Sequence, residues 1–365
     1  MEEPGFFQFV QPVLSELNNT NIDISYLFAF TEIPSSNFLE ILNISKKRII
    51  KSSLCSHIKT IDMFISPSIW SSVPKENVSI HISHNLPLIM KIESYSKSVL
   101  SNFNYHFLTG PLHRNWFLHM YEKNEVDDRK SMMLDIGYPK SDKLVNGEYD
   151  RIEILKSLNL DVNKQTVIYA PAWDPNTSLH KYGTQLFEIL SEIQNINVIV
   201  KLHPVSYTNK SHPHYKFYTG GTDWMDVISR YEKNINFKHV PNYSIDPLLA
   251  ASDILITDIS SVSLEFIVLD KPVIYIDCPE FYEKTLEEWE QDSKSIKTVE
   301  KFSSVRNVGI VCKDLSELET SVIRSLHHPH EFSEKRKTLS DQILYNPGKG
   351  SITSAQKILD LLELN

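Results

Sequence analysis

Three cysteines in 365 residues, Cys55, Cys278 and Cys312, stand far apart with no CxxC spacing. That excludes a disulfide framework and a cysteine-built zinc site and points to a reducing cytoplasm. Glycine is scarce at 10 residues, and no complete GxGxxG, P-loop, HExxH or GxSxG occurs. Dinucleotide dehydrogenase, NTPase, metalloprotease and serine-hydrolase readings therefore lose their support. Cations are outnumbered, 37 Lys and Arg against 46 Asp and Glu for a formal charge of -9, so the basic field expected of a nucleic-acid binder is missing. No run approaches 18 apolar residues, and the opening MEEPGFFQFVQPVLSEL starts with two acids and carries Pro12 in its apolar part. A spanning helix and a signal peptide are both argued against.

What is present is ordinary for a globular chain, 41% apolar and 23% charged residues, at a length that exceeds one growing core. Two domains are expected, 1–150 and 151–365, with the boundary close to residues 145–165. There the polar stretch YPKSDKLVNGEYD gives way to the helical pattern RIEILKSLNL and the strand TVIYAP. Short β-branched and aromatic runs alternate with amphipathic segments, the pattern of βαβ units around parallel sheets, so the fold class is α/β. First-half strands are expected near Tyr26–Phe30, Met63–Ser66, Ser79–His84, His106–Thr109 and Met133–Ile136. Second-half strands are expected at Val167–Ala170, Val198–Leu202, Phe237–Val240, Ile254–Thr257, Val273–Ile276 and Val308–Val311. Six strands suit a Rossmann-like domain. The last segment, SITSAQKILDLLEL, carries the helical stripe Ile352, Ala355, Ile358, Leu359 and Leu362 and is expected to pack on a large surface.

The stretch 251–277, ASDILITDISSVSLEFIVLDKPVIYID, reads as strand, turn, helix, turn, strand. Ligands of open α/β sheets bind beyond the carboxyl ends of strands, where Asp258, Ser260 and Ser261 fall. Unpaired N–H groups at the helix start and two hydroxyls make a phosphate site, while a plain N-cap is the competing reading for either serine. Glu265, one helical turn after Ser261, faces the same crevice and ribose hydroxyls, or else lies on a solvated face. In VIVKLHP, Lys201 and His203 lie two apart and share a face if the strand continues. Together they would neutralise a diphosphate leaving group. In VSIHISHNLP, His84 sits at a strand end before Asn85 and Pro87, where an imidazole could take a proton from an acceptor hydroxyl. A hydrogen-bonded loop histidine is the simpler alternative there. His212 and His214 read as residues of a polar loop, and HHPH at 327–330 as the end of a helix.

Taken in order, SHNLP (83–87), GYPKSD (137–142), YAPAW (169–173), VKLHP (200–204), SDILITDISSVSLEF (252–266), KPVIYID (271–277) and NPGKGS (346–351) resemble the CDP-glycerol glycerophosphotransferase family of teichoic acid primases and polymerases. The resemblance covers roughly 78–360 and is strongest from 167 to 280. It implies a GT-B fold of two Rossmann-like domains facing a cleft, with the C-terminal helix crossing back to the first. It also implies a CDP-glycerol donor, direct attack of an acceptor hydroxyl on the glycerol-bearing phosphate, and CMP as leaving group. Carried onto matching positions, His84 and His203 are catalytic. Lys201, Asp258, Ser260, Ser261, Glu265, Pro171 and Trp173 bind donor, and Lys140, Asp142 and Lys349 are candidates for phosphate or acceptor contacts. The chain departs from the family pattern at Asn85, Lys140, Asp174 and Ile259, which leaves open which group is transferred.

Two other readings stay in view. One is a GT-B glycosyltransferase with a UDP- or CMP-linked sugar donor, with an epimerase of the same architecture behind it; the other is a weakened family member acting as a binding subunit of an envelope-assembly complex. No metal and no resident cofactor are expected, since the nucleotide is a substrate. The expected partners are that donor and a glycan acceptor that can be lipid-linked, with peripheral contact at the inner membrane face. KKRIIK (46–51) and FFQFV (6–10) could supply that contact, but they read more simply as a strand edge with solvated lysines and as core packing.

Overall fold

The computed structural model describes residues 6–32, 34–41, 44–58, 60–74, 78–84, 86, 96–241, 244–286 and 305–363. Asn85 and Pro87 lie outside them. The chain forms two compact units, one of Met1–Pro87, Ser94–Lys143 and Asp341–Asn365, the other of Leu88–Glu93 and Leu144–Ser340.

The first unit carries a two-stranded parallel sheet, β1 (Phe28–Phe30) on β2 (Ile49–Lys51), and a four-stranded parallel sheet. The latter runs β3 (Met63–Ser66), β4 (Val78–Ile82), β5 (Tyr105–Leu108) and β6 (Met132–Asp135), in sequence order. In KKRIIK, Lys46–Arg48 make one exposed 3-10 turn and Ile49–Lys51 form β2. The C-terminal helix Gly350–Leu361 is part of this unit, whereas a domain of 151–365 would place it with the second. The reason is burial. Ala355, Ile358 and Leu359 join Val10, Val13 and Leu17 of the helix Phe7–Asn18, together with Ile80, Ile82 and Phe107 of the sheet, in one apolar cluster.

Two glycine-bearing motifs clasp that helix. Gly137 has φ +121°, and a Cβ there would stand 2.5 Å from the Tyr345 carbonyl oxygen; a Cβ on Gly350 would stand 2.9 Å from the Pro139 nitrogen. GYPKSD and NPGKGS thus approach each other as closely as backbones allow.

The second unit carries β7 (Gln165–Tyr169), β8 (Ile196–Val200), β9 (Phe237–His239), β10 (Ile254–Thr257), β11 (Val273–Ile276) and β12 (Ile310–Cys312). Their order in the sheet is β12-β11-β10-β7-β8-β9, parallel throughout. β8, β10 and β11 are buried at every residue, as expected when helices cover both faces. The helix Ser178–Glu192 supplies one cover through Leu179, Leu186, Phe187 and Leu190, spaced by whole turns. The last strand starts at Ile310, two residues later than its apolar run suggests, because Arg306–Val308 form a 3-10 turn.

Candidate active site

The strand order of the second unit, read as sixth, fifth, fourth, first, second, third, reverses between β7 and β10. The loops leaving two such neighbouring strands diverge and open a crevice beyond their carboxyl ends, the usual nucleotide position in this topology. Asp258 follows β10 and is fully buried. One of its oxygens accepts from the N–H groups of Ala172 at 2.8 Å and Ile259 at 2.6 Å. The other accepts from the Ser178 N–H at 2.9 Å and the Ser178 hydroxyl at 2.6 Å. Burial raises its pKa and these hydrogen bonds oppose the rise. The four bonds fill the carboxylate's acceptor sites. Asp258, expected to touch donor, instead locks the β7 and β10 loops together, a link reinforced by Thr257 donating to the Ala170 carbonyl at 2.7 Å.

Ser260 and Ser261 are half-exposed beside this lock. The Ser260 hydroxyl accepts from the Val262 N–H at 3.4 Å, a long capping contact, while Ser261 at the N-cap makes no side-chain cap bond. Pro171 in the β7 loop is buried. Glu265, between the wholly buried Leu264 and Phe266, is only 9% exposed, so its helix face is not a solvated one.

β8 ends at Val200, and alternation ends with it. Lys201 is buried, its Nζ donating to the Pro241 carbonyl at 2.8 Å, and desolvation pulls its pKa down to about 8. His203 instead stands exposed, though close enough to feel the Lys201 charge. Its Nδ1 accepts from the Val205 N–H at 3.4 Å, which puts the proton of the neutral ring on Nε2. Desolvation by the surrounding chain, and then the Lys201 ammonium, pull its pKa down to about 4. The ring is neutral at pH 7.

Around His203 the structure gathers Trp173, already a donor-binding candidate, with rings that the sequence reading left unremarked or placed in a polar loop. Half-buried Trp173 has its ring centroid 6.0 Å from His203, 6.1 Å from Phe217 and 5.5 Å from Tyr218; Tyr218 in turn lies 5.9 Å from His212 and 6.1 Å from His214. The signal was the aromatic and histidine density of SHPHYKFYTGG (211–221), which reads as loop because its short helix, Tyr215–Thr219, lacks an apolar stripe. Imidazoles and aromatic ring faces beyond a strand end suit a planar ligand with an anionic tail.

In the first unit, His84 lies two residues beyond β4. Its Nδ1 donates to the Pro67 carbonyl at 2.7 Å, so Nε2 is the basic nitrogen of the neutral ring. The ring packs against Phe6 at 4.6 Å and Phe9 at 5.9 Å, and the Tyr138 hydroxyl donates to the His84 carbonyl at 3.2 Å. FFQFV therefore both fills the core and walls this histidine.

The other first-unit candidates have different fates. Asp142 was expected to meet phosphate or acceptor. Its carboxylate instead accepts from the Gly350 N–H at 2.9 Å, the Ser351 N–H at 2.6 Å and the Ser351 hydroxyl. It occupies the N-terminus of the C-terminal helix, where an anion would otherwise sit. Lys140 is buried within the same clasp region, and Lys349 is exposed just before the helix. Among the described residues, no group of three or more His, Cys, Asp or Glu side chains is arranged to hold a metal.

A family model described as CDP-Glycerol:Poly(glycerophosphate) glycerophosphotransferase matches residues 68–363. The chain is 26% identical over 214 residues to the teichoic acid glycerol-phosphate transferase of Staphylococcus aureus, covering 56% of this chain and 50% of that protein. It is 28% identical over 244 residues to the teichoic acid glycerol-phosphate primase of Bacillus subtilis, covering 66% of this chain and 54% of that protein. It thus spans about half the length of these two curated relatives. Among solved structures, the wall teichoic acid polymerase TagF superposes with a TM-score of 0.68 at 17% identity, covering 97% of this chain and 85% of that one. A UDP-N-acetylglucosamine 2-epimerase superposes at 0.60 and 13% identity, covering 100% and 95%. The fold is GT-B-like.

Proposed function

We propose that this chain, which belongs to the CDP-glycerol:poly(glycerophosphate) glycerophosphotransferase family, moves a glycerol phosphate or related alditol phosphate group from a CDP-linked donor to a hydroxyl of a cell-envelope glycan. The observation that carries the reading is a family match over 68–363, which takes in the second unit whose strand order reverses at β7 and β10, with the loops there held by Asp258.

In this reading the acceptor oxygen attacks the alditol-bearing phosphorus. The bond from that phosphorus to the bridging oxygen breaks, and CMP leaves with the electron pair. Nε2 of His84 takes the acceptor proton, its other nitrogen being committed to Pro67. The Nε2–H of His203 and the Lys201 charge offset the negative charge that develops on CMP. The Ser260 and Ser261 hydroxyls bind diphosphate oxygens, Glu265 the ribose, and Trp173 with its neighbouring rings the pyrimidine face. The nucleotide is consumed as a substrate, so the reaction draws on no resident cofactor. The acceptor is lipid-linked, and the protein works from the cytoplasm in peripheral contact with the membrane. No helix among the described residues is long and apolar enough to cross one.

The test is CMP release from CDP-glycerol with a glycan acceptor, alongside ligand-dependent thermal stabilisation. CDP-glycerol at a hundredfold its Kd should stabilise by about 2.7 kcal/mol. His84→Ala should slow turnover roughly 10²–10⁴-fold with donor affinity nearly unchanged, whereas His203→Ala should also weaken donor binding. Stabilisation by UDP-GlcNAc or a CMP-sugar in place of CDP-glycerol would replace this reading with glycosyl transfer. Turnover indifferent to both substitutions would remove the catalytic assignments.

A further inference from the structure

The first unit contains a cavity of about 550 Å³, within the size range of small-molecule sites, that none of the chemistry above uses. Its wall is built from the helix Phe7–Asn18 (Val10, Leu14), from β1 (Phe28), β2 (Ile50) and β3 (Phe64), and from the C-terminal helix (Leu359). Leu, Ile and Val dominate it. No Lys, Arg or His lines it, and its charged members, Asp23 and Asp62, are exposed, so an anionic group has no partner inside. A ligand that fills it must be mostly hydrocarbon.

Two further observations say what lies outside. Leu27 lines the cavity and is 44% exposed, and Leu54, next to the lining residue Cys55, is 52% exposed. Leu27 carries the cavity's apolar lining out to the surface. The strand that contributes Ile50 is preceded by Lys46, Lys47 and Arg48 and ends in Lys51, all exposed, in a chain whose formal charge is -9. A local run of cations on an acidic protein selects an anionic partner at that spot.

We propose that this cavity takes one hydrocarbon chain of an anionic lipid, with the headgroup outside against Lys46, Lys47, Arg48 and Lys51. The inference rests on the transferase reading only for the lipid's role as carrier of the acceptor. The cavity itself is a property of the first unit. A buried chain and a neighbouring basic run together supply the two signals that stable, reversible anchoring needs.

The experiment uses the full chain and a fluorescent polyene fatty acid as probe. Binding should saturate at one probe per protein, and oleate or geranylgeranyl phosphate should displace it, the better competitor naming the chain as acyl or isoprenoid. Ile61→Trp, from a half-buried position on the wall, should weaken probe binding at least tenfold while the response to CDP-glycerol is unchanged. Ala29→Leu does the same job if the first variant fails to fold. Reversing Lys46, Lys47 and Arg48 to Glu should cut sedimentation with phosphatidylglycerol vesicles several-fold and leave probe binding intact. The proposal is overturned by a lack of saturable binding, by displacement with neither competitor, by equal affinity in both filled variants, or by equal sedimentation with phosphatidylcholine and phosphatidylglycerol vesicles. Probe binding without CMP release would sink the transferase reading and keep the cavity; CMP release without probe binding would do the reverse.

Discussion

The two units solve the same problem with different interiors. In the second, the sheet is sealed in Val, Ile, Leu and Phe, and the buried acid Asp258 has each oxygen bonded. In the first, the middle strands carry His81 and His106 into the core, and His113 from the helix Pro111–Asn124 joins them. Nε2 of His106 donates to the Leu100 carbonyl at 2.9 Å, so its Nδ1 accepts from Nδ1 of His81 at 3.2 Å. Nδ1 of His113 accepts from the Thr109 N–H at 3.2 Å, and its Nε2 is buried without a hydrogen-bond partner. The lesson is that both interiors bury ionisable groups, histidines in the first unit and Asp258 and Lys201 in the second, and that the second unit's buried carboxylate and ammonium each have bonded partners.

The largest break in this contrast should come from Asp258→Ala. It strands the Ala172, Ile259 and two Ser178 donors in a dry interior at roughly 1–3 kcal/mol each, so the loss should exceed about 3 kcal/mol. Denaturant titration should show the loss in the second unit, with CDP-glycerol stabilisation gone. A variant that melts as the parent does and binds donor normally would refute the locking role.

Acid should act more strongly on the first unit, where three histidines are enclosed, than on the second, where His203 and His239 are also pulled down to about 4 but stand exposed or half-buried. Burial pulls the His106 pKa down to about 4 and that of His113 to about 3, and holds His81 low as well. The unfolded chain, titrating near 6.5, therefore binds more protons at low pH. Stability is intact above about pH 6.5 and falls as pH drops towards 4, by about 1.4 kcal/mol per histidine per pH unit. Melts followed at Trp116 in the first unit and Trp224 in the second should show the first failing earlier as pH is lowered. Loss of the second unit first would reverse the comparison.

A smaller effect belongs to the clasp. Asp142→Ala removes the cap on Gly350 and Ser351 and should cost the first unit about 1–3 kcal/mol. Hydrogen exchange should rise in 350–361 with little change in 165–276. The smallest concerns Lys201. With its pKa near 8, the ammonium is held at pH 7 and lost as pH rises through 8, so donor affinity should fall by a few-fold between pH 7 and 9. Lys201→Met should bind more weakly and abolish that pH dependence.

Much of the second unit was legible beforehand because strands buried on both faces read as unbroken apolar runs. All six expected strands are there, and the loop after Ile254–Thr257 is a switch-point loop. The first unit was harder to read. VSIHI and YHFL hide core histidines that look like surface residues, and β2 is short and flanked by cations.

Sequence alone determined the α/β class, the six-strand Rossmann pattern and the pairing of His84, His203 and the Asp258 segment with strand ends, since periodicity and punctuation are local properties. Tertiary structure alone decided what those side chains do. Asp258 and Asp142 became anchors because backbone donors from distant segments reached them first. Lys201 turned inward because its strand stopped at Val200. Trp173 gained its ring neighbours because the loop at 211–221 folds back over it. Spacing along the chain carries no record of which distant donor or ring will arrive, and burial converts that arrival into function or into structure.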